Sequence, residues 1–140
     1  MHACTKRGKL MKRCGELAVN DASTKVDDLK MRINSFLKER EWEKFHTPRN
    51  ISESICIEAA ELLKIFQWMD ESALKEFSYS KLVTKVSEEL ADVIIYCLSM
   101  ANTMKIDVTG AILTKLQINE KKYPVEIWKG KAYLTEHSPV

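Results

Sequence analysis

Four carboxylates stand out by type and spacing. Glu58 and Glu61 lie in "ESICIEAAELLKIFQW" (residues 53–68), and Glu89 and Asp92 lie in "KVSEELADVIIYCLSM" (residues 85–100). Both stretches read as helices, because their apolar residues recur at spacings of three and four. With Glu58 at the origin of a helical wheel, Ile51, Leu62, Ile55 and Phe66 fall at roughly +20° to roughly +80°, and Ile65 at roughly −20°. Glu58 is therefore inside the apolar arc, and Glu61, at about −60°, is on its edge. With Glu89 at the origin, Leu82 and Met100 fall at about +20°, Val93 at about +40°, Tyr96 at about −20° and Asp92 at about −60°. The two helices thus carry carboxylate pairs in the same relation to their apolar stripes. A solvated charged face would lie opposite the stripe; Glu88, rotated about 100° from Glu89, is expected to be solvated.

Joined as an antiparallel hairpin symmetric about residue 75, the helices would set Glu58 opposite Asp92 and Glu61 opposite Glu89. Four carboxylates converging at a dry interface cannot all stay ionised unaided, since burial and like charge both oppose ionisation. Either protons or a cation must answer them. The donors are hard oxygens with no His or Cys among them, which suits Mg²⁺, Mn²⁺ or Ca²⁺ and not zinc. A di-iron bundle would need Glu-x-x-His, which neither pair has. Because Mg²⁺ is commonly held by a few carboxylates together with substrate phosphates, a phosphate-bearing ligand is the natural partner. The plainer alternative is a salt-bridged core or dimer interface.

These helices belong to a chain of 140 residues, long enough for one domain with its own core. Only four Gly and three Pro occur, which favours long helices over many strands and turns. A first helix is expected after Asp21, Ser23 or Thr24 as N-cap, with Leu29, Ile33, Phe36 and Leu37 on its apolar face. "FHTPRNIS" breaks it, and Asn50 or Ser52 is the expected cap of a helix from about 52 to 69. A polar connection leads to a long helix over about 80–104. Asp107 or Thr109 then caps a last helix that ends before Pro124. The expected architecture is all-α, an antiparallel bundle of four main helices. Val83, Ile94, Leu98 and Ala101 form a second apolar face on the long helix, more than one hairpin partner can cover, so oligomerisation would complete the bundle.

Residues 1–24 read as a basic arm, 25–124 as the folded domain and 125–140 as a tail. Residues 1–15 hold five basic and no acidic side chains, leaving 17 basic against 20 acidic in the remainder. Such an arm can touch nucleic acid or anionic lipid, or be a solvated tail ahead of an internal start at Met11. The acidic balance of the domain argues against nucleic acid. Cys4, Cys14, Cys56 and Cys97 form no C-x-x-C pair. Cys56 and Cys97 fall in apolar helical runs and are expected as small core residues. No apolar run has signal-peptide or membrane-spanning character, so the cytoplasm is the expected location. A basic, acid-poor start leaves an organellar transit peptide open.

Four blocks, "EREWEKFHTPRN", "EAAELLKIFQW", "EELADVIIYCLSMA" and "KLQINEKKYP", occur in one order over about residues 27–124. Together they resemble the MazG-like all-α nucleoside triphosphate pyrophosphohydrolases, most of all the dCTP pyrophosphatase branch. The resemblance implies that Glu58, Glu61, Glu89 and Asp92 bind Mg²⁺, with Mn²⁺ as a substitute. It implies cleavage between the α- and β-phosphates of a nucleoside triphosphate, and assembly as a homodimer or homotetramer. It places Lys115, Asn119 and Tyr123 near the nucleotide, and Lys122 shares the helical face of the first two. Trp42, Trp68 and Tyr96 match aromatic positions that line a base pocket. His46 and Arg49, from "FHTPRN", are within reach of a phosphate, and His46 is equally suited to fixing its loop. The same chemistry on dUTP or another non-standard nucleotide, and a non-catalytic metal-stabilised helical oligomer, are the competing readings.

Overall fold

A computed structural model describes residues 19–70 and 79–131. The basic arm, with Cys4 and Cys14, lies almost wholly outside the described residues, as do most of the polar connection and the end of the tail. The fold is all-α: α1 (Val26–Glu39), α2 (Pro48–Phe66), α3 (Tyr79–Thr103), α4 (Val108–Lys122) and a single turn α5 (Val125–Trp128), with a 3₁₀ turn at Glu43–Phe45. Among the described residues no strand occurs, and no helix is long and apolar enough to cross a membrane.

Helices α2 and α3 pack antiparallel and carry the largest interface, and α1 lies against α3. On α2 the half-buried or buried positions are Ile51, Ser54, Ile55, Glu58, Leu62 and Ile65, and on α3 they include Leu82, Val86, Glu89, Val93, Tyr96 and Met100. These alternating steps of three and four are the seam of two helices packed nearly in line. Among the described residues the buried set is small: Leu37, Ile51, Leu98, Ala101 and Ser99. The second apolar face of α3 is thus half answered within the chain. Leu98 and Ala101 are buried, while Val83 and Ile94 remain exposed. Asn102 Nδ2 donates to the Lys30 carbonyl and Lys30 Nζ to the Ile106 carbonyl, each at 3.0 Å, which ties the start of α1 to the end of α3.

Several expected details are corrected. Helix α2 begins at Pro48, four residues before Ser52, because proline at the first helical position loses only an N–H that had no partner. Its cap is Thr47, whose Oγ1 accepts from the Asn50 N–H at 3.3 Å, not Asn50 or Ser52. The N-cap of α1 is Lys25, not Asp21, Ser23 or Thr24, and the Asp28 carboxylate accepts from its N–H at 3.0 Å. Asp107 caps α4 as expected, accepting from the Gly110 N–H. Cys56 and Cys97 are exposed rather than core, because each sits on a side of its helix turned away from the α2–α3 seam.

Helices α1 and α3 stop in the same way. Trp42 N–H donates to the Leu37 carbonyl and Glu41 N–H to Lys38; Ile106 N–H donates to Ala101 and Lys105 N–H to Asn102. These are paired Schellman bonds, with Glu41 (φ 54°) and Lys105 (φ 55°) in the left-handed position that glycine usually holds. Lys105→Gly should therefore stabilise the protein by about 0.5–1 kcal/mol, the relief of left-handed strain exceeding the added unfolded-state entropy. Denaturant unfolding at fixed protein concentration measures it, and a destabilised variant would contradict the assignment.

Candidate functional site

The α2–α3 seam brings Glu58, Glu89 and Asp92 together. Each offers one carboxylate oxygen, and these oxygens lie within 4.8 Å of one another. Glu58 and Glu89 are half-buried and Asp92 is exposed. Glu61 stands one turn further along, both its oxygens 3.1–3.2 Å from Lys64 Nζ, and lines a crevice of about 340 Å³ with Ile65, Lys85, Glu88 and Glu89. Glu89 and Asp92 both reach Glu58 across the seam, whereas Glu61 lies outside that cluster and shares the crevice with Glu89.

The environment of Glu58 raises its pKa. Burial is the largest cause, followed by the charges of Asp92, Glu89 and Glu61. Three carboxylate oxygens around one ion at about 2.0–2.1 Å would sit about 3–4 Å apart, so small side-chain rotations from the present arrangement suffice to share a hard divalent cation. The donor set has no sulfur or imidazole, which again fits Mg²⁺ or Mn²⁺.

Beside the cluster, α1, the 3₁₀ turn and α3 enclose a cavity of about 440 Å³. Its walls are Ile33, Phe36, Leu37, Trp42, Ile95 and Tyr96, and its polar members are Arg32, His46, Asp92 and Ser99. Phe36 and Trp42 meet edge to face at 5.9 Å, and the His46 and Tyr96 rings stack at 6.3 Å with 13° between planes. His46 Nδ1 lies 2.9 Å from the Trp42 carbonyl, a group that only accepts, so Nδ1 carries the proton and the ring orientation is fixed. Asp92 belongs to both the carboxylate cluster and the cavity wall.

The cavity therefore gathers Trp42, His46 and Tyr96 from the expected site residues. The single chain does not bring the others to it. Arg49 points outward, 87% exposed, and pairs with Glu53 at 3.0 Å. Trp68 is 89% exposed near the end of α2. Lys115, Asn119 and Lys122 lie along α4 and Tyr123 at its end, where Tyr123 packs edge to face on Trp128 at 5.1 Å. Sequence reasoning passed over Arg32, Ile95 and Ser99. Ser99 could have been found, since it follows Asp92 by seven residues and Tyr96 by three and so shares their helical face.

A model of the MazG-like family matches residues 53–132. The chain belongs to the MazG-like family. All four carboxylates fall in the matched segment, whereas Trp42 and His46, across the cavity, precede it. Among MazG-like relatives, the chain is 32% identical over 127 residues to dCTP pyrophosphatase 1 of Bos taurus, covering 90% of this chain and 75% of the relative. It is 33% identical over 103 residues to dCTP pyrophosphatase 1 of Homo sapiens, covering 73% and 61%. It thus spans less than two thirds of the human protein. A solved pyrophosphatase from Archaeoglobus fulgidus is 40% identical with a TM-score of 0.64, covering 70% of this chain and 91% of that one.

The raised pKa of Glu58 has a signed consequence. Protonated Glu58 suits the metal-free fold, so its contribution is fully present below the unfolded pKa of about 4.3 and is lost as pH rises through the folded value. With a chelator present, wild type and Glu58→Gln should melt together near about pH 4, and the variant should melt higher at about pH 7. Added Mg²⁺ should raise the melting temperature of wild type more than that of the variant. Thermal denaturation across pH, with and without the cation, checks both; equal responses to Mg²⁺ would remove Glu58 from the cation site.

Proposed function

We propose that the protein hydrolyses a cytosine nucleoside triphosphate, dCTP or a modified dCTP, to the monophosphate and pyrophosphate. The chain is an enzyme, a nucleoside triphosphate pyrophosphohydrolase, and residues 25–124 carry the activity. The observation that carries this reading is Asp92, shared by an acidic cluster suited to a divalent cation and a cavity with aromatic walls. A nucleotide is a polyanion joined to a flat ring, and it needs those two environments side by side. The names of the similar proteins, dCTP pyrophosphatases and a pyrophosphatase, agree with it.

Glu58, Glu61, Glu89 and Asp92 would hold Mg²⁺ or Mn²⁺. That ion, when bound, neutralises phosphate oxygens and lowers the pKa of a water molecule. One of the four carboxylates takes the proton from the attacking water, the bond between the α- and β-phosphates breaks, and pyrophosphate leaves. Trp42 and Tyr96 flank the base, and aromatic stacking contributes on the order of 1–3 kcal/mol per base. His46, held by its bond to the Trp42 carbonyl, keeps the Tyr96 face in place. The apolar walls of the cavity keep water away from the base while the phosphates stay at the cluster.

Self-association completes the site in this reading. Residues 111–118 of α4 are all exposed, among them Ile112, Leu113, Leu116 and Ile118, and so are Ile57 and Leu63 on the outer side of α2. So much clustered apolar surface marks an interface. Assembly into a dimer or tetramer covers it and brings Lys115, Asn119, Lys122, Tyr123, Arg49 and Trp68 toward the nucleotide. The protein acts in the cytoplasm on nucleotide pools, with neither membrane nor nucleic acid as partner.

Two outcomes follow. Pyrophosphate release from a panel of dNTPs and NTPs should need Mg²⁺ or Mn²⁺, be strongest for dCTP or its modified forms, and fall more than about 100-fold in Glu89→Gln with the fold retained. No release by a folded, cation-loaded protein would end the catalytic reading. Release strongest for dUTP would keep the chemistry and change the substrate. Sedimentation should give a whole multiple of 16.1 kDa, and Leu113→Glu should shift it toward the monomer; a monomeric wild type would leave the apolar face unexplained by self-association.

A further inference from the structure

Two polar side chains in the cavity wall have no task in the scheme above. Ser99 is 2% exposed. Ser52 and Ser87 both donate to the carbonyl four residues back, at 2.8 and 2.7 Å, but the Ser99 hydroxyl makes no hydrogen bond among the described residues. No described side-chain oxygen is sealed from its surroundings without a partner, so the Ser99 hydroxyl opens onto the cavity that its residue lines. Arg32 lines the same cavity from α1. Arg40 and Arg49 are engaged by neighbouring glutamates, whereas Arg32 has no ion-pair partner among the described residues. An unpaired guanidinium and a nearly buried, unbonded hydroxyl around a cavity with aromatic walls are both suited to a ligand edge.

We infer that Arg32 and Ser99 read the base, selecting cytosine over uracil and thymine. This rests on the reading that the cavity takes the nucleobase. Guanidinium offers only donors, in a fork that suits two adjacent acceptors. Cytosine presents such a pair, O2 and N3, next to an amino donor. Uracil and thymine carry a hydrogen on N3, which would meet the guanidinium donor to donor. Acceptors for the amino group are at hand: the Ser99 oxygen, and Nε2 of the His46 tautomer whose Nδ1–H is spent on the Trp42 carbonyl. A polar site rejects the wrong edge because its own buried groups are then left unpaired, which makes such discrimination larger than shape alone provides.

Calorimetric binding of dCMP, dUMP, dTMP and dGMP to the full chain with Mg²⁺ tests this, alongside turnover of the corresponding triphosphates. Wild type should favour dCMP over dUMP and dTMP. Arg32→Met should reduce that preference on the order of 10- to 100-fold, chiefly by weakening dCMP. Ser99→Ala should reduce it in the same sense by a smaller factor, and Arg32 is exposed enough for its variant to spare the core. An unchanged dCMP-to-dUMP ratio in both variants, or an equal loss for every nucleotide, overturns the inference. A wild-type preference for dGMP, whose O6 and N7 also form an acceptor pair, overturns the choice of cytosine. If nothing is hydrolysed but dCMP preference depends on Arg32, the reaction fails and the recognition stands. If dCTP is hydrolysed with its preference indifferent to both residues, the reaction stands and the recognition fails.

Discussion

Like charges held half out of water between two helices are the constraint on which the rest depends. Glu58 and Glu89 occupy seam positions that would otherwise hold leucine or valine, among neighbours such as Ile55, Leu62, Val86 and Val93. The hairpin is stabilised on either side of the cluster and opposed within it. Lys64 holds Glu61, yet the charge of Glu61, with those of Asp92 and Glu89, still adds to burial in raising the pKa of Glu58. Such an arrangement opposes stability in the unliganded protein and, in the proposed reading, leaves the oxygens preorganised for a cation.

The proposed function further requires that something flat be held beside that charge. Helix α1 supplies one wall, and its termination matters as much as its apolar face. The left-handed Glu41 ends the helix and places Trp42 against Phe36, and the 3₁₀ turn then delivers His46 to Tyr96. Arg40 lies over the outer face of the Phe36 ring at 3.7 Å, so the aromatic wall is braced from behind. Asp92 and Tyr96, one turn apart on α3, join cluster and cavity through a single rigid element.

What the sequence disclosed and what it concealed follow from the range of the forces involved. The seams of α2 and α3, with Glu58 and Glu89 on them and Glu61 and Asp92 at their edges, are properties of single helices, and a wheel suffices to find them. The symmetric numbering of the two carboxylate pairs sets Glu58 near Asp92, and in the folded hairpin Glu89 joins them while Glu61 does not. Thr47 escaped because Pro48 was read as a breaker, although proline at a first helical position is a start signal as well. Cys56 and Cys97 were misplaced because an apolar run does not reveal which of its sides meets a neighbour. Arg32 depends on where α1 lands on α3, which no local pattern contains, whereas Ser99 shares a helical face with Asp92 and Tyr96 and was within reach of a wheel.

Helix α4 has a further consequence. Its 15 residues bury almost nothing against the rest of the chain, and helices of that length are marginal in water. Its two firm local supports are the Asp107 cap and the lysines of its last turn, Lys121 and Lys122, set against the helix dipole. The free energy that keeps α4 wound must therefore come largely from whatever covers its apolar side. Amide protons of 112–122 would then exchange with solvent by local opening, at rates that slow as that cover is gained, while those of the α2–α3 seam exchange only with the opening of the hairpin itself.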